Sequence, residues 1–402
     1  MTAAARRTGP EPVRVGIVGF GLRASLARAV VESGVGEVTA VLDPSERGCS
    51  DARRSLGAEV SIAESLDALL ASGIEAIMVL SPDDTHHDVA VAALRAGVPV
   101  FCEKPLATTI ADCDNVLRAA HETRTRLYVG HNMRHMPVVR QLRDVITSGR
   151  IGSVRSIWCR HFVGHGGDFY FRDWHADRRH STGLLLQKGA HDLDVIHWLA
   201  GGYTRRTSAM GRLAVYGDIT ARREPGEARM TDWYDPAGWP PAALTGLNEV
   251  VDVEDLSMML MELDNGVLAS YEQCHFTPDY WRSYTVIGDA GRVENFGDGP
   301  GGRIAVWDRR QVSWARPDTE LEITGTPDDH GGADVVMIAE FLRFVRTGEP
   351  TETSPVAARE AVAAGVIATQ SLRGDGSALP VPEPDPDLVA YFDSGQPGSV
   401  SG

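Results

Sequence analysis

Basic charge, paired cysteines and long apolar runs are what this 402-residue sequence has little of. Lysine and arginine total 39 against 55 aspartates and glutamates, a formal charge of −16. So acidic a surface forgoes the counterion release and surface attraction that reward nucleic-acid and anionic-membrane binders, which argues against both partners and for a small neutral substrate. The five cysteines, Cys49, Cys102, Cys113, Cys159 and Cys274, are odd in number, scattered and never spaced C-x-x-C. They read as the reduced thiols of a cytoplasmic protein. No stretch is apolar for long enough to span a bilayer. Arg6-Arg7 is followed by TGPEPV rather than by an apolar signal core, so export is not expected. The 13 histidines never join cysteines or carboxylates at ligand spacing, and His131 and His135 stand four apart across a strand exit. No metal is expected.

What is present is the composition of an ordinary globular protein, 43% hydrophobic and 23% charged, in a chain long enough for two domains. After a tail over 1–12, periodicity alternates: a continuous apolar strand VRVGIVGF (13–20), helical spacing over 22–33, and a strand EVTAVLD (37–43). Helices near 64–71, 84–96 and 110–123 then alternate with strands at 75–81, 98–103 and 126–130, which predicts an α/β domain with a doubly wound parallel sheet over 13–130. From about 131 the pattern changes to a second, α+β domain over 131–375. A helix over 136–148, the long strand VRSIWCRHFVG (154–164) and a helix over 183–200 are followed by alternating runs at 205–216, 251–263, 266–276, 282–288 and 303–315. Those runs predict a large, mainly antiparallel sheet. A Pro-, Gly- and Trp-rich insertion over 218–248 should lie over a cleft or at a subunit contact. Helical patterns at 332–347 and 354–372 close the domain, and 376–402 reads as a peripheral tail.

Gly19-Phe20-Gly21-Leu22-Arg23-Ala24 is a G-x-G-x-x-A loop between the first strand and the first helix, and Asp43 ends the next strand. In that context it predicts a bound dinucleotide. Gly19 permits the turn and Gly21 lets the backbone approach the pyrophosphate. Ala24 keeps the helix, whose N-terminus faces the phosphates, close to the sheet. Asp43 can accept both ribose hydroxyls and would repel a 2′-phosphate, so NAD is expected over NADP; Ser45 and Arg47 are close enough to soften the preference.

The apolar run before Glu103-Lys104-Pro105 ends at the edge where parallel sheets meet ligands, and Pro105 keeps Lys104 extended there. The lysine therefore meets an anion or a hydroxyl, or points into water. With the glycine loop, Ser81-Pro82-x-x-x-His86 and Glu103-Lys104-Pro105 together, the chain resembles the Gfo/Idh/MocA oxidoreductases, which act mostly on sugars, sugar derivatives and cyclitols. The resemblance covers roughly residues 13–375. It implies an N-terminal Rossmann domain and a C-terminal domain whose open sheet carries a homodimer or homotetramer interface. It also implies that Lys104 contacts the nicotinamide ribose and the reacting hydroxyl and that Ser81 and Pro82 shape the nicotinamide end. Glu103 is a candidate beside the cofactor, and His86, inside the following helix, is either structural or cofactor-adjacent. A cation beside the reacting oxygen favours alkoxide character as hydride leaves carbon.

Within GLLLQKGAHDLD, helical spacing would put Gln187, Lys188, His191 and Asp194 on one face. The resemblance gives His191 the role of taking the hydroxyl proton, which suits an imidazole. Many members carry aspartate four residues earlier, where this chain has Gln187 followed by Lys188. Glutamine cannot raise the basicity of His191 through charge, and Asp194 is the expected source of the missing negative charge. Asn132 and Arg134, just after the sixth strand, are expected at the domain junction, either on substrate or bonding the domains together. Trp174, in the loop DFYFRDWHADRRHSTG with His175, and His330 are further candidates for substrate contact. The predicted activity is NAD-dependent transfer of a hydride from a ring hydroxyl of a sugar, glycoside, anhydrosugar or cyclitol. Two other readings are glycoside cleavage with a recycled bound NAD and a non-enzymatic sugar sensor.

Overall fold

Val13–Val18 is buried at every position but Arg14 because helices cover both faces of the sheet that it centres. In this computed structural model, which describes residues 11–164, 167–224, 232, 235, 238–327 and 330–398, the first sheet has six parallel strands. Their order is Ser61–Ile62, Gly36–Leu42, Val13–Val18, Ala76–Val79, Val100–Cys102 and Leu127–Val129. The order reverses beside Val13–Val18, and the cleft opens at the carboxyl ends there, as such sheets require. The helix over Ser25–Glu32 starts three residues later than the apolar spacing predicts, because Leu22–Ala24 form a turn, with the Ala24 N–H on the Gly21 carbonyl at 3.1 Å.

The second sheet has nine strands, in the order Thr319–Glu322, Arg303–Trp307, Arg292–Phe296, Tyr280–Gly288, Val154–Val163, Leu268–Cys274, Leu256–Leu263, Thr204–Arg212 and Leu379–Pro380. All neighbours are antiparallel except Val154–Val163 with Leu268–Cys274. One face packs on the helices Gly189–Ala200 and Pro355–Arg373; the other leaves Trp158, Met210, Met258, Leu260 and Leu268 more than half exposed. The insertion is described only at 218–224, 232, 235 and 238–248; its remainder lies outside the described residues. Tyr216, Ile219, Leu244 and Leu247 pack with Phe171 and Leu184 in a small core beside the cleft.

The C-terminal stretch corrects the expected peripheral tail. Pro386–Asp393 is a helix whose Leu388, Tyr391 and Phe392 are buried in the core of the first domain. The Gln396 amide then bonds both the Leu127 N–H and its carbonyl at 2.8 Å, completing the edge strand. At about 1.5–3 kcal/mol per large apolar side chain buried, this segment contributes substantially to the fold. The helix Ala333–Thr347 crosses back likewise, placing Met337, Ile338, Phe341 and Leu342 against Ile17 and Leu26.

Candidate active site

The glycine loop meets the steric demands expected of it. Gly19 has φ +87°, and a Cβ there would lie 2.7 Å from the Ser81 backbone, so only glycine lets the two strand ends cross. A Cβ on Gly21 would have nothing within 4 Å, and Gly21, Leu22 and Arg23 line the cleft. The result is a cradle of bare backbone at the start of a helix, which fits a pyrophosphate. Asp43 also lines the cleft; its carboxylate accepts the Phe20 N–H at 2.7 Å, the Ser45 N–H at 2.9 Å and the Ser45 hydroxyl at 2.6 Å. Phe20 itself is buried, so its contribution to the cradle is its backbone. The Arg47 guanidinium is held by Asp232, at 2.8 Å, and by Asp51. Arg23 bridges the domains, donating to Glu103 at 2.8 Å and to Asp334 at 3.1 and 3.2 Å.

Lys104 follows Val100–Cys102, two strands along the sheet from the glycine loop, and projects into the same cleft, whose volume is about 1290 Å³. Its Nζ donates to the Gln187 carbonyl at 3.2 Å, which ties the sheet edge to the second domain. Burial drags this ammonium below the usual lysine value; Asp83 pulls it back and Lys188 adds to the fall. Asp83, next to Pro82, is buried and pushed well above the carboxylate range, with Lys104 as the main opposing charge and a Gln187 hydrogen bond helping it. Ser81 and Pro82 line the cleft. His86 does not: its buried ring sits between the Pro105 carbonyl, 2.7 Å from Nδ1, and the Ser81 carbonyl, 2.9 Å from Nε2, and can donate to one of them, which places it in the packing between two cleft loops.

The opposite wall comes from the second domain. The expected helix over 183–200 is broken into Leu184–Gln187 and Gly189–Ala200, with Lys188 at the junction. Gln187, Lys188 and His191 line the cleft as expected. Asp194 does not, and this corrects its assignment: its carboxylate takes two bonds of 2.7 Å from Arg134 and faces His131 at 3.6 Å. Burial would raise its pKa, but Arg134 and His131 hold it below the usual carboxylate value. That charge is taken up by Arg134 and is not among the main charges acting on His191. Burial, then Lys104 and Lys188, push His191 well below an ordinary imidazole. Arg134 also donates to the Glu352 carbonyl at 2.7 Å and lies over the Trp198 ring, while the Asn132 amide donates to Asp334 at 2.7 Å. Neither lines the cleft, and their partners Asp334, Asp194 and Glu352 all lie within 131–375, so both brace the second domain itself, which corrects the two expected roles of substrate contact and of bonding the domains together. Trp174, stacked on His175 at 3.8 Å between ring centroids, and His330 do line the cleft.

Three cleft residues carried too little sequence signal to be chosen. Asp83 directly follows Ser81-Pro82, where only its burial beside Lys104 distinguishes it from an exposed helix-opening aspartate. Tyr170 and Tyr280 come from a loop and a strand start, and they meet only because both enclose the Lys188 ammonium, at 5.4 and 5.5 Å from their ring centroids. Among the described residues no cluster of three or more histidine, cysteine, aspartate or glutamate side chains could hold a metal.

Residues 13–131 match the family model described as an oxidoreductase family with an NAD-binding Rossmann fold, and residues 139–294 match the Gfo/Idh/MocA C-terminal domain. The chain is 25% identical to an oxidoreductase of Bacillus subtilis, YteT, over 66% of its own length and 71% of that protein's. It is 33% identical to inositol 2-dehydrogenase of Ralstonia nicotianae over 47% of this chain and 55% of that one, so it spans about half the length of that relative. Two solved structures share the fold: levoglucosan dehydrogenase in complex with NADH and levoglucosan, and GenD2 from gentamicin A biosynthesis in complex with NAD. The first has a TM-score of 0.75 at 17% identity over 93% of this chain and 100% of that one. The second has 0.73 at 20% identity over 95% and 100%. Fold and cleft together define a two-domain oxidoreductase with an NAD-type dinucleotide domain. The chain belongs to the Gfo/Idh/MocA oxidoreductase family.

Proposed function

We propose that the protein oxidises a ring hydroxyl of a sugar, glycoside, anhydrosugar or cyclitol with NAD, or runs the same step backwards. The observation that carries this reading is the meeting of Lys104 with the Gln187–His191 segment of the second domain, across a cleft floored by the glycine loop. A bound nicotinamide would supply the hydride acceptor. Lys104 would bind the reacting oxygen and stabilise its developing negative charge. His191 would hydrogen-bond the same hydroxyl, and Trp174 offers a face on which a sugar ring can stack. The unpaired cysteines support a reducing, cytoplasmic setting. The test is a screen of sugars and cyclitols with NAD and NADP, read by absorbance of the reduced cofactor. Accumulating NADH with at least one polyol supports the reading; cleavage of a glycoside without net NADH points to the recycled-cofactor reading instead.

NAD preference rests on Asp43 at the second strand's end, and on the capture of Arg47 by Asp232 and Asp51. Asp43→Ala is expected to weaken NAD binding and narrow the gap to NADP. Equal or better NADP use by the unmodified protein in parallel titrations would contradict the assignment.

A homodimer or homotetramer is also expected, because Trp158, Met210, Met258, Leu260 and Leu268 stand exposed on the uncovered sheet face. Light scattering at micromolar concentration should give more than the 43.4 kDa of one chain. A stable monomer would count against it.

A further inference from the structure

His191 is poorly set to keep a proton. It is buried, its Nδ1 has no hydrogen-bond partner among the described residues, and no carboxylate is among the main charges acting on it. The nearby positive groups, Lys104, Lys188, Arg282 and His330, all disfavour an imidazolium.

A better acceptor stands on the same cleft. Tyr280 opens the strand Tyr280–Gly288, and its hydroxyl oxygen accepts the Lys188 Nζ at 3.0 Å. The groups that favour the Lys188 charge are the phenols of Tyr170 and Tyr280, not a carboxylate. Arg282, on the same strand as Tyr280, lies 5.8 Å from the Tyr280 ring centroid. The His161 ring, from Val154–Val163, meets that ring edge-on at 5.7 Å, and Asp298 supplies the opposing negative charge. Tyr280 is 38% exposed, at the mouth of the cleft; the protein packed around it would push the phenol up, but Lys188 and Arg282 outweigh that and Asp298 and leave it below an ordinary tyrosine.

We infer that Tyr280, activated by Lys188, accepts the proton of the reacting substrate hydroxyl, while the neutral His191 orients that hydroxyl by donating its ring N–H to the oxygen. This rests on the dehydrogenase reading above. As the carbinol C–H bond breaks, its electron pair leaves with the hydride to oxidised nicotinamide. The O–H bond breaks, its pair forms the carbonyl π bond, and the proton goes to the Tyr280 phenolate oxygen and on to solvent. A base of this kind makes oxidation rise with pH through the Tyr280 pKa and level off above it.

The test has an arm that needs no substrate. Near-ultraviolet difference titration of the full chain should show a tyrosine ionising before the others, whose ordinary value is about 10. That early step should vanish in Tyr280→Phe and move to higher pH in Lys188→Met. With a substrate in hand, Tyr280→Phe should lose about a hundredfold or more in kcat and the rising pH limb, as expected on removing a general base. His191→Asn should lower turnover yet keep the limb. No early-ionising tyrosine in the wild type, or a limb that survives Tyr280→Phe and disappears in His191→Asn, would overturn the assignment. A normal phenol with active NAD reduction defeats this inference alone, whereas failure of every polyol to reduce NAD defeats the dehydrogenase reading.

Discussion

Lys104→Met is expected to lower turnover by about a hundredfold or more, in line with losing one preorganised donor to a developing oxyanion. NAD affinity should fall far less, because the bare backbone of the Gly19–Ala24 loop and the Asp43 carboxylate, which Lys104 does not bond, are left in place. The split follows from when charge appears: the hydroxyl oxygen becomes negative only as proton and hydride depart, so the ammonium contributes most in the transition state. Methionine fills the same channel without the charge, leaving the Gln187 carbonyl short of one donor at 3.2 Å. Cofactor titration by fluorescence beside steady-state turnover separates the outcomes. Normal turnover would mean a solvated lysine, and equal loss of binding and turnover would mean a cofactor clamp.

Asp194→Ala is expected to cost about 3–5 kcal/mol of stability, because it strands the Arg134 guanidinium, 5% exposed, without its carboxylate. The sign with pH is fixed by the depressed Asp194 pKa. A carboxylate whose folded pKa lies below its unfolded value contributes its stability above the unfolded pKa and loses it as pH falls through the folded one. The gap between wild type and variant should therefore be full at neutral pH and shrink in acid. Urea unfolding at several pH values reads this directly. A loss under about 1 kcal/mol at neutral pH would show that the pair is not the buried brace of the second domain that its geometry implies.

How far the sequence could be read depended on the range of the signal. The glycine loop and Lys104 were legible because their constraints are local. Gly19 answers to the positive φ of its own turn, and Lys104 to the proline that follows it. The alternation of strands and helices likewise reported burial that each segment expresses alone, down to the alternating strands of the second sheet. Asp194 was misplaced because helical spacing gives an angle and not a neighbour. The spacing set Asp194 beside His191, while the fold brought Arg134 up to it from 60 residues away. Tyr280 was invisible for the same reason, since the Lys188–Tyr280 bond spans 92 residues and neither residue is unusual in its own segment. The last helix escaped notice because Pro and Asp flank it closely, and its apolar residues find their partners only in the first domain.

The central claim, direct hydride transfer between a ring carbon and the nicotinamide in this cleft, is tested most directly with a polyol found active in the screen and deuterated at the carbon that is oxidised. Mass spectrometry of the NADH formed should show one deuterium carried onto the nicotinamide, with transfer all but lost in Lys104→Met. NADH free of deuterium, or full transfer by the Lys104→Met protein, would contradict the account.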